Sequence, residues 1–207
     1  KTAESFMSIE CNTPLHINRD KFNVQELREI WQAVFDNDRV YLYDHWGSLD
    51  IDNLISKLTY FAKGCQCDWL FLDHVSIVVS GLGDGDERRL IDNLMTHIRS
   101  FVEATGVGMI IISHLKRVEN GGRSHEEGGR VTLGQLRGSG SIAQLSDIVI
   151  GLERNQQNEE EVNISNVRVL KNRFSGETGP TGSLRYVPET GRLVDSSCPF
   201  GGAEGEY

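Results

Sequence analysis

Long apolar runs are missing from these 207 residues: none approaches the roughly 20 needed to cross a bilayer, and no secretory leader opens the chain. A membrane-spanning protein is therefore not expected. Proline is scarce, with four residues, and 38% apolar content beside 25% charge excludes a disordered chain. The length suits one well-buried domain and is too short to need two. Cysteine is scarce as well, at Cys11, Cys65, Cys67 and Cys198. Cys65-x-Cys67 has no second Cys or His pair at finger spacing, so zinc is not expected and free thiols in a reducing cytoplasm are. Net positive charge is absent too. At −9 the chain as a whole argues against nucleic acid.

That balance is uneven. Between Lys116 and Gly140, five cations (Lys116, Arg117, Arg123, Arg130, Arg137) and three anions leave a local charge of +2. A Gly-rich basic loop of this kind suits a phosphate backbone, although charge alone fits a solvated surface loop as well. The loop follows Met109-Ile110-Ile111-Ile112, an apolar run read as a strand buried on both faces, which stops at Ser113-His114. A parallel strand delivers its last residues to the carboxyl edge of the sheet, where α/β proteins place ligands.

The rest of the chain reads as support for that edge. A helical pattern is already under way at Thr2, and with no initiating Met the chain is expected to be a piece of something longer. Val24 to Phe35 recur at helical spacing, Val40-Tyr41-Leu42-Tyr43 reads as a short strand, and a helix from about Asp50 stops near Gly64. Trp69-Leu70-Phe71-Leu72-Asp73-His74 brings an acid to a strand end, suited to holding Mg²⁺ beside phosphates or simply to making a turn. After a Gly81–Asp86 loop, Leu90, Ile91, Leu94, Met95, Ile98, Phe101 and Val102 line one helix face as core. Ile148 to Leu152 reads as another buried strand, Asn166 to Leu170 as an alternating one, and Gly176 to Gly191 as a hairpin. The expected fold class is α/β, a mostly parallel sheet flanked by helices with an antiparallel β extension at its end.

Three motifs stand in order: WLFLDH (69–74), IIISHLKR (110–117) with LRGSGSIAQLSD (136–147), and RVLKNRFSGETG (168–179). Together they resemble the RecA-like helicase domain of DnaB-type hexameric replicative helicases, with the nearest likeness to the primase-helicases of short-tailed bacteriophages and the related mitochondrial helicase. The resemblance implies that residues 1–195 are the C-terminal part of a RecA-like P-loop NTPase core, without its P-loop strand, with 196–207 as a flexible acidic tail. It assigns Asp73 to Mg²⁺, His114 to sensing the γ-phosphate, Gln144 to coupling nucleotide with loop, and Arg173 to an arginine finger in the neighbouring subunit's site. Arg154, Lys171 and Tyr186 are implied at the nucleotide. Lys171, two residues before Arg173 on one strand, points the same way. Lys116, Arg117, Arg123, Arg130, Arg137 and Gly138 are implied to face single-stranded DNA. No aromatic interrupts that loop, so backbone tracking rather than base stacking is expected.

Further implications are ATP or dTTP as substrate, a hexameric homo-oligomeric ring, 5′→3′ movement, a cytoplasmic site of action and a polymerase partner. The acidic tail AEGEY suits either docking to a basic polymerase surface or plain solvation. Two features depart from the family. Ala143 stands where the pattern carries Arg, which removes part of the loop-anchoring network. No G-x-x-x-x-G-K-[ST] occurs, so the phosphate cradle is missing and this chain by itself is expected not to hydrolyse nucleotide. Two rivals share the core: a recombination or repair ATPase of the RecA type, and a non-catalytic RecA-fold scaffold that binds DNA.

Overall fold

The computed structural model describes residues 1–44, 50–78, 84–118, 122–136 and 140–196. Helix α1 (Thr2–Glu10) leads into a four-residue turn of helix, α2 (Leu15–Asn18). Buried Ser8 fastens this corner: its hydroxyl donates to the Glu4 carbonyl and accepts from the Leu15 amide at 3.0 Å. Helix α3 (Val24–Phe35) starts at a reciprocal cap. The Glu26 amide donates to Asn23 Oδ1, and the Asn23 amide donates to Glu26 Oε2, satisfying two of the end's orphan donors. Phe35 then packs edge-on against Phe6 of α1.

Val40 to Tyr43 form no strand, contrary to the sequence pattern. The aromatic rings that give this stretch its β character lie instead against Phe61, from Tyr41 and Tyr43 alike. Helix α4 (Ile51–Thr59) is capped by Asp50, whose Oδ1 accepts from the Asn53 amide. It buries Ile51, Leu54 and Leu58 and ends in a wider turn over Tyr60–Gly64.

Strands β1 (Trp69–Leu72) and β2 (Gly108–Ile111) pair in parallel, joined through the long helix α5 (Asp84–Thr105). Gly108 is required here, because a Cβ would fall 2.5 Å from the Trp69 ring that lies across it. Ile91, Leu94, Met95, Ile98 and Phe101 of α5 are buried with Leu54, Leu58, Leu70, Leu72 and Val107, forming the core. The helix starts inside the stretch read as a loop, at Asp84. The expectation that β2 is buried on both faces is not met. Leu70, Leu72, Met109 and Ile111 pack into the cluster with α4 and α5, while Trp69, Phe71, Ile110 and Ile112 are exposed among the described residues.

A short helix, α6 (Gly140–Leu145), precedes four antiparallel strands in sequential order: β3 (Ile148–Arg154), β4 (Ile164–Asn172), β5 (Gly179–Val187) and β6 (Arg192–Asp195). Along β3, Val149, Gly151 and Glu153 point inward, while Ile148, Ile150 and Leu152 are exposed. Helices, a parallel pair and an antiparallel extension make the α/β architecture expected, with the antiparallel part the larger among the described residues. No described helix is long and apolar enough to cross a membrane. The acidic tail, apart from Ser196, lies outside the described residues.

Candidate functional site

The ends of β1 and β2 are interleaved by two backbone bonds. The Ile112 amide donates to Leu72 at 3.0 Å, and the Val75 amide donates to Ile112 at 2.9 Å. This places Asp73-His74 beside Ser113-His114, and the His74 and His114 rings meet edge-on at 4.3 Å. Asp73 and His114 are exposed, and the half-buried His74 keeps a buried Nδ1 without a hydrogen-bond partner among the described residues. The exposed Asp73 carboxylate is the hard oxygen donor that Mg²⁺ prefers. No group of three metal-capable side chains occurs among the described residues. A single carboxylate is consistent with Mg²⁺, which keeps most of its positions for water and phosphate.

The end of β4 is organised differently. Lys171 Nζ donates to the carbonyls of Ala143 (2.7 Å), Gln144 (3.1 Å) and Ser146 (2.7 Å), using its three protons on the free carbonyls at the end of α6. The Arg173 amide donates to the Asp147 carbonyl at 2.8 Å. Its guanidinium reaches Asp147 Oδ1 at 2.9 Å and the Gln144 carbonyl at 3.1 Å. The other Asp147 oxygen takes Arg99 Nη1 at 2.8 Å, so one carboxylate sits between two guanidiniums. Lys171 and Arg173 therefore do share a direction, and both converge on the end of α6. The Gln144 side chain is exposed; its carbonyl is what they grip.

The basic loop leaves β2 and closes at its stem, where Leu115 bridges Leu136 and the Lys116 amide donates to Gln135 at 2.7 Å. Its returning limb docks on the end of β3: Glu127 bridges Asn155, and the Gln156 amide donates to Glu126 at 2.8 Å. Glu127 also accepts from the Ser124 amide and hydroxyl, and these bonds hold its carboxyl below the usual range. Gly128 and Gly129 serve tight packing. Gly128 has a φ of +76°, and a Cβ on Gly129 would lie 2.3 Å from the Arg123 carbonyl. Lys116, Arg117, Arg123 and Arg130 are all exposed, as a phosphate-tracking surface requires. Arg137 and Gly138 lie outside the described residues.

Arg154 ends β3, donating from Nε to the Val162 carbonyl at 2.6 Å. It registers with Ser165, which registers with Leu184, so alternation sets Tyr186 on the same face and at the same end of the sheet. Arg173 sits just past the other end of β4, roughly 25 Å away at a strand's rise per residue. The structure thus brings Arg154 and Tyr186 together, along with the loop that joins them to His114, and sets Lys171 and Arg173 apart.

One buried acid escaped the sequence reading. Glu153, 7% exposed, accepts from the Val131 amide at 2.9 Å and from Arg168 Nε at 2.7 Å. Burial pushes its carboxyl up, but the bonds from Arg168 and Val131 outweigh that and leave it below its ordinary value. The signal was present in the alternation of β3, where Glu153 follows Val149 and Gly151 on the inward face.

Comparison with known proteins gives a consistent picture. A family model described as the DnaB-like helicase C terminal domain matches residues 5–195. The DNA helicase/primase of Enterobacteria phage T3 is 46% identical over 178 residues, covering 86% of this chain and 31% of that protein. A probable plasmid replicative DNA helicase of Chlamydia psittaci is 26% identical over 150 residues, covering 71% of this chain and 31% of that protein. The chain thus spans about a third of the length of these relatives. Among solved structures, a DnaB-like replicative helicase, described with its interactions with primase, superposes with a TM-score of 0.70 at 20% identity, over 93% of this chain and 46% of that one. A KaiC-like protein of Pyrococcus horikoshii gives 0.56 at 15% identity, over 83% and 71%. At such identities these two speak to the RecA-like fold alone.

Proposed function

The chain belongs to the DnaB-like helicase C-terminal domain family, and from that membership we propose that it is the motor domain of a replicative DNA helicase. In this reading it couples nucleotide hydrolysis between subunits of a hexameric ring to 5′→3′ movement on single-stranded DNA in the cytoplasm. The substrate is ATP or dTTP. The observation that carries the reading is the separation just described. Arg154 and Tyr186 share one end of the antiparallel sheet, whereas Arg173 stands just past the other end of β4, about 25 Å away at a strand's rise per residue and farther than one nucleotide can span. The two sides accordingly serve two nucleotides, as they do when each site is completed by a neighbouring subunit.

Asp73 would hold Mg²⁺, which supplies charge neutralisation at the phosphates. His114 would donate to a terminal phosphate oxygen and lose that partner when hydrolysis removes it. Arg173 would exchange the Asp147 carboxylate for the phosphoryl group of the neighbour, stabilising charge that develops there. Gln144, on the helix that follows the DNA loop, would pass the change to Lys116, Arg117, Arg123, Arg130, Arg137 and Gly138 along the strand. Lys171 would hold the end of α6 beside the finger. A DNA polymerase is a further proposed partner, with the acidic tail a solvating segment. Because these residues contain no phosphate-cradling G-x-x-x-x-G-K-[ST] loop, hydrolysis requires one from elsewhere in the protein.

The test is complementation in the full-length protein. Asp73→Asn and Arg173→Ala are each expected to lose DNA-stimulated hydrolysis. Mixing the two in one ring creates interfaces with an intact Asp73 facing an intact Arg173, so activity returns. Absence of recovery in mixed rings would refute a finger supplied in trans.

A further inference from the structure

Glu153 is an expensive residue for its position. The inward face of β3 needs only apolar or small side chains, as Val149 and Gly151 show, yet a carboxylate is buried there and ionised. Its partners belong to two other parts of the molecule. One is the backbone of the returning limb of the basic loop, at Val131; the other is Arg168, in the middle of β4. Arg168 is itself only 18% exposed and makes two bonds to Glu153, from Nε at 2.7 Å and Nη2 at 3.3 Å.

The loop limb is pinned twice at this point. The Val131 amide lies on Glu153, while its side chain lies over Gly151, where a Cβ would come within 3.2 Å of Val131 Cγ1. One residue on, the Thr132 amide donates to Gln135 Oε1, and Gln135 receives Lys116 from the outgoing limb. Both limbs of the stem are thereby referred to Glu153. On the other side, Arg168 lies three residues before Lys171 on the same strand, and Lys171 and Arg173 grip the end of α6. A continuous line of bonds joins the loop stem to the strand that leads into Arg173.

We propose that Glu153, with Arg168, is a positioning pair for the DNA loop: it fixes the loop stem to the strand bearing Arg173, so that the two move as one piece. This rests on the reading of residues 116–137 as the DNA loop and Arg173 as the finger. Glu153 touches neither DNA nor nucleotide. Its effect is on how far DNA binding and hydrolysis feel each other.

The experiment uses full-length protein, with hydrolysis measured with and without single-stranded DNA and DNA affinity measured across a salt series. The paired replacement Glu153→Met with Arg168→Met removes both charges together, leaving no uncompensated buried ion. The ratio of DNA-stimulated to unstimulated hydrolysis is expected to fall about tenfold, a usual size for coupling between sites. The slope of affinity against salt is expected to persist, since the phosphate-contacting cations are untouched. Glu153→Gln, whose amide oxygen still accepts from Val131, should lower the ratio in the same direction and less. It decides the matter alone if the double variant fails to fold. A wild-type ratio in these variants, or a loss equal with and without DNA, would overturn the proposal and leave a purely structural ion pair. Failure of the underlying reading shows elsewhere: Lys116→Ala with Arg123→Ala would leave the salt slope at its wild-type value.

Discussion

Two strand ends in this domain handle charge in opposite ways. At the tips of β1 and β2, Asp73 and His114 are exposed, and His74 carries a buried nitrogen with no hydrogen-bond partner among the described residues. At the tip of β4, Lys171 has all three protons committed, and Arg173 is held by Asp147 and the Gln144 carbonyl. The first end is incomplete and can accept a ligand directly. The second is self-satisfied, so any ligand there must compete with an existing bond. A group that must exchange partners makes a better switch than one that merely waits, because its free and bound states differ in the contacts of the protein itself.

The largest effect that could break this contrast is on catalysis. Arg173→Ala in the full-length protein is expected to lower DNA-stimulated hydrolysis by about 10³-fold while nucleotide binding, followed by fluorescent-nucleotide titration, survives. Asp147→Ala releases the same guanidinium from its carboxylate, leaving the Gln144 carbonyl, and should retain most of the activity. Equal losses in both would mean that Arg173 serves only its in-chain pair. Next in size is a test of the packing shared by both ends. Leu94→Ala, at a fully buried position of α5, should cost about 2–5 kcal/mol in urea unfolding, against about 0.5 kcal/mol or less for Leu152→Ala on the exposed face of β3.

Lys171→Met sharpens the description of the closed end. It strips a charged donor from three carbonyls and should lower stability by about 1–3 kcal/mol, read as a fall in the unfolding midpoint. An unchanged midpoint would show that solvent replaces Lys171 there freely. The smallest effect concerns acidity. The Glu153 carboxyl is held below its ordinary value in the folded chain, so its contribution to stability is full above the unfolded value of 4.5 and declines as pH falls through and below it. The difference in urea midpoint between wild type and Glu153→Gln should therefore shrink from pH 7 towards pH 3. A constant difference would place the benefit in shape rather than in charge.

Much of the open end could be read from sequence, because an apolar run that stops abruptly at Asp73 or Ser113-His114 specifies both the strand and what it delivers. What lies across a strand is a different matter. Trp69, Phe71, Ile110 and Ile112 are as apolar as buried residues, and no local pattern states whether anything covers them. Val40 to Tyr43 mislead for a related reason: aromatic residues favour strands only when a neighbouring strand is there to pair with, and here the rings went to Phe61. The closed end was half legible. Two-residue spacing put Lys171 and Arg173 on one side, but their partners come from a segment more than twenty residues earlier and appear only on folding. Gly128 and Gly129 show the limit of composition, since loop glycines can signal close packing as readily as freedom.

The Trp69 indole, lying across Gly108 on an uncovered apolar face, also makes the domain its own optical instrument. An indole that exposed (62%) emits towards the red, and anything that settles over β1 and β2 takes it out of water and moves its emission to the blue. With Trp31 and Trp46 replaced by Phe, the emission colour of that ring would report, without any label, whether this face of the sheet is bare or sheltered.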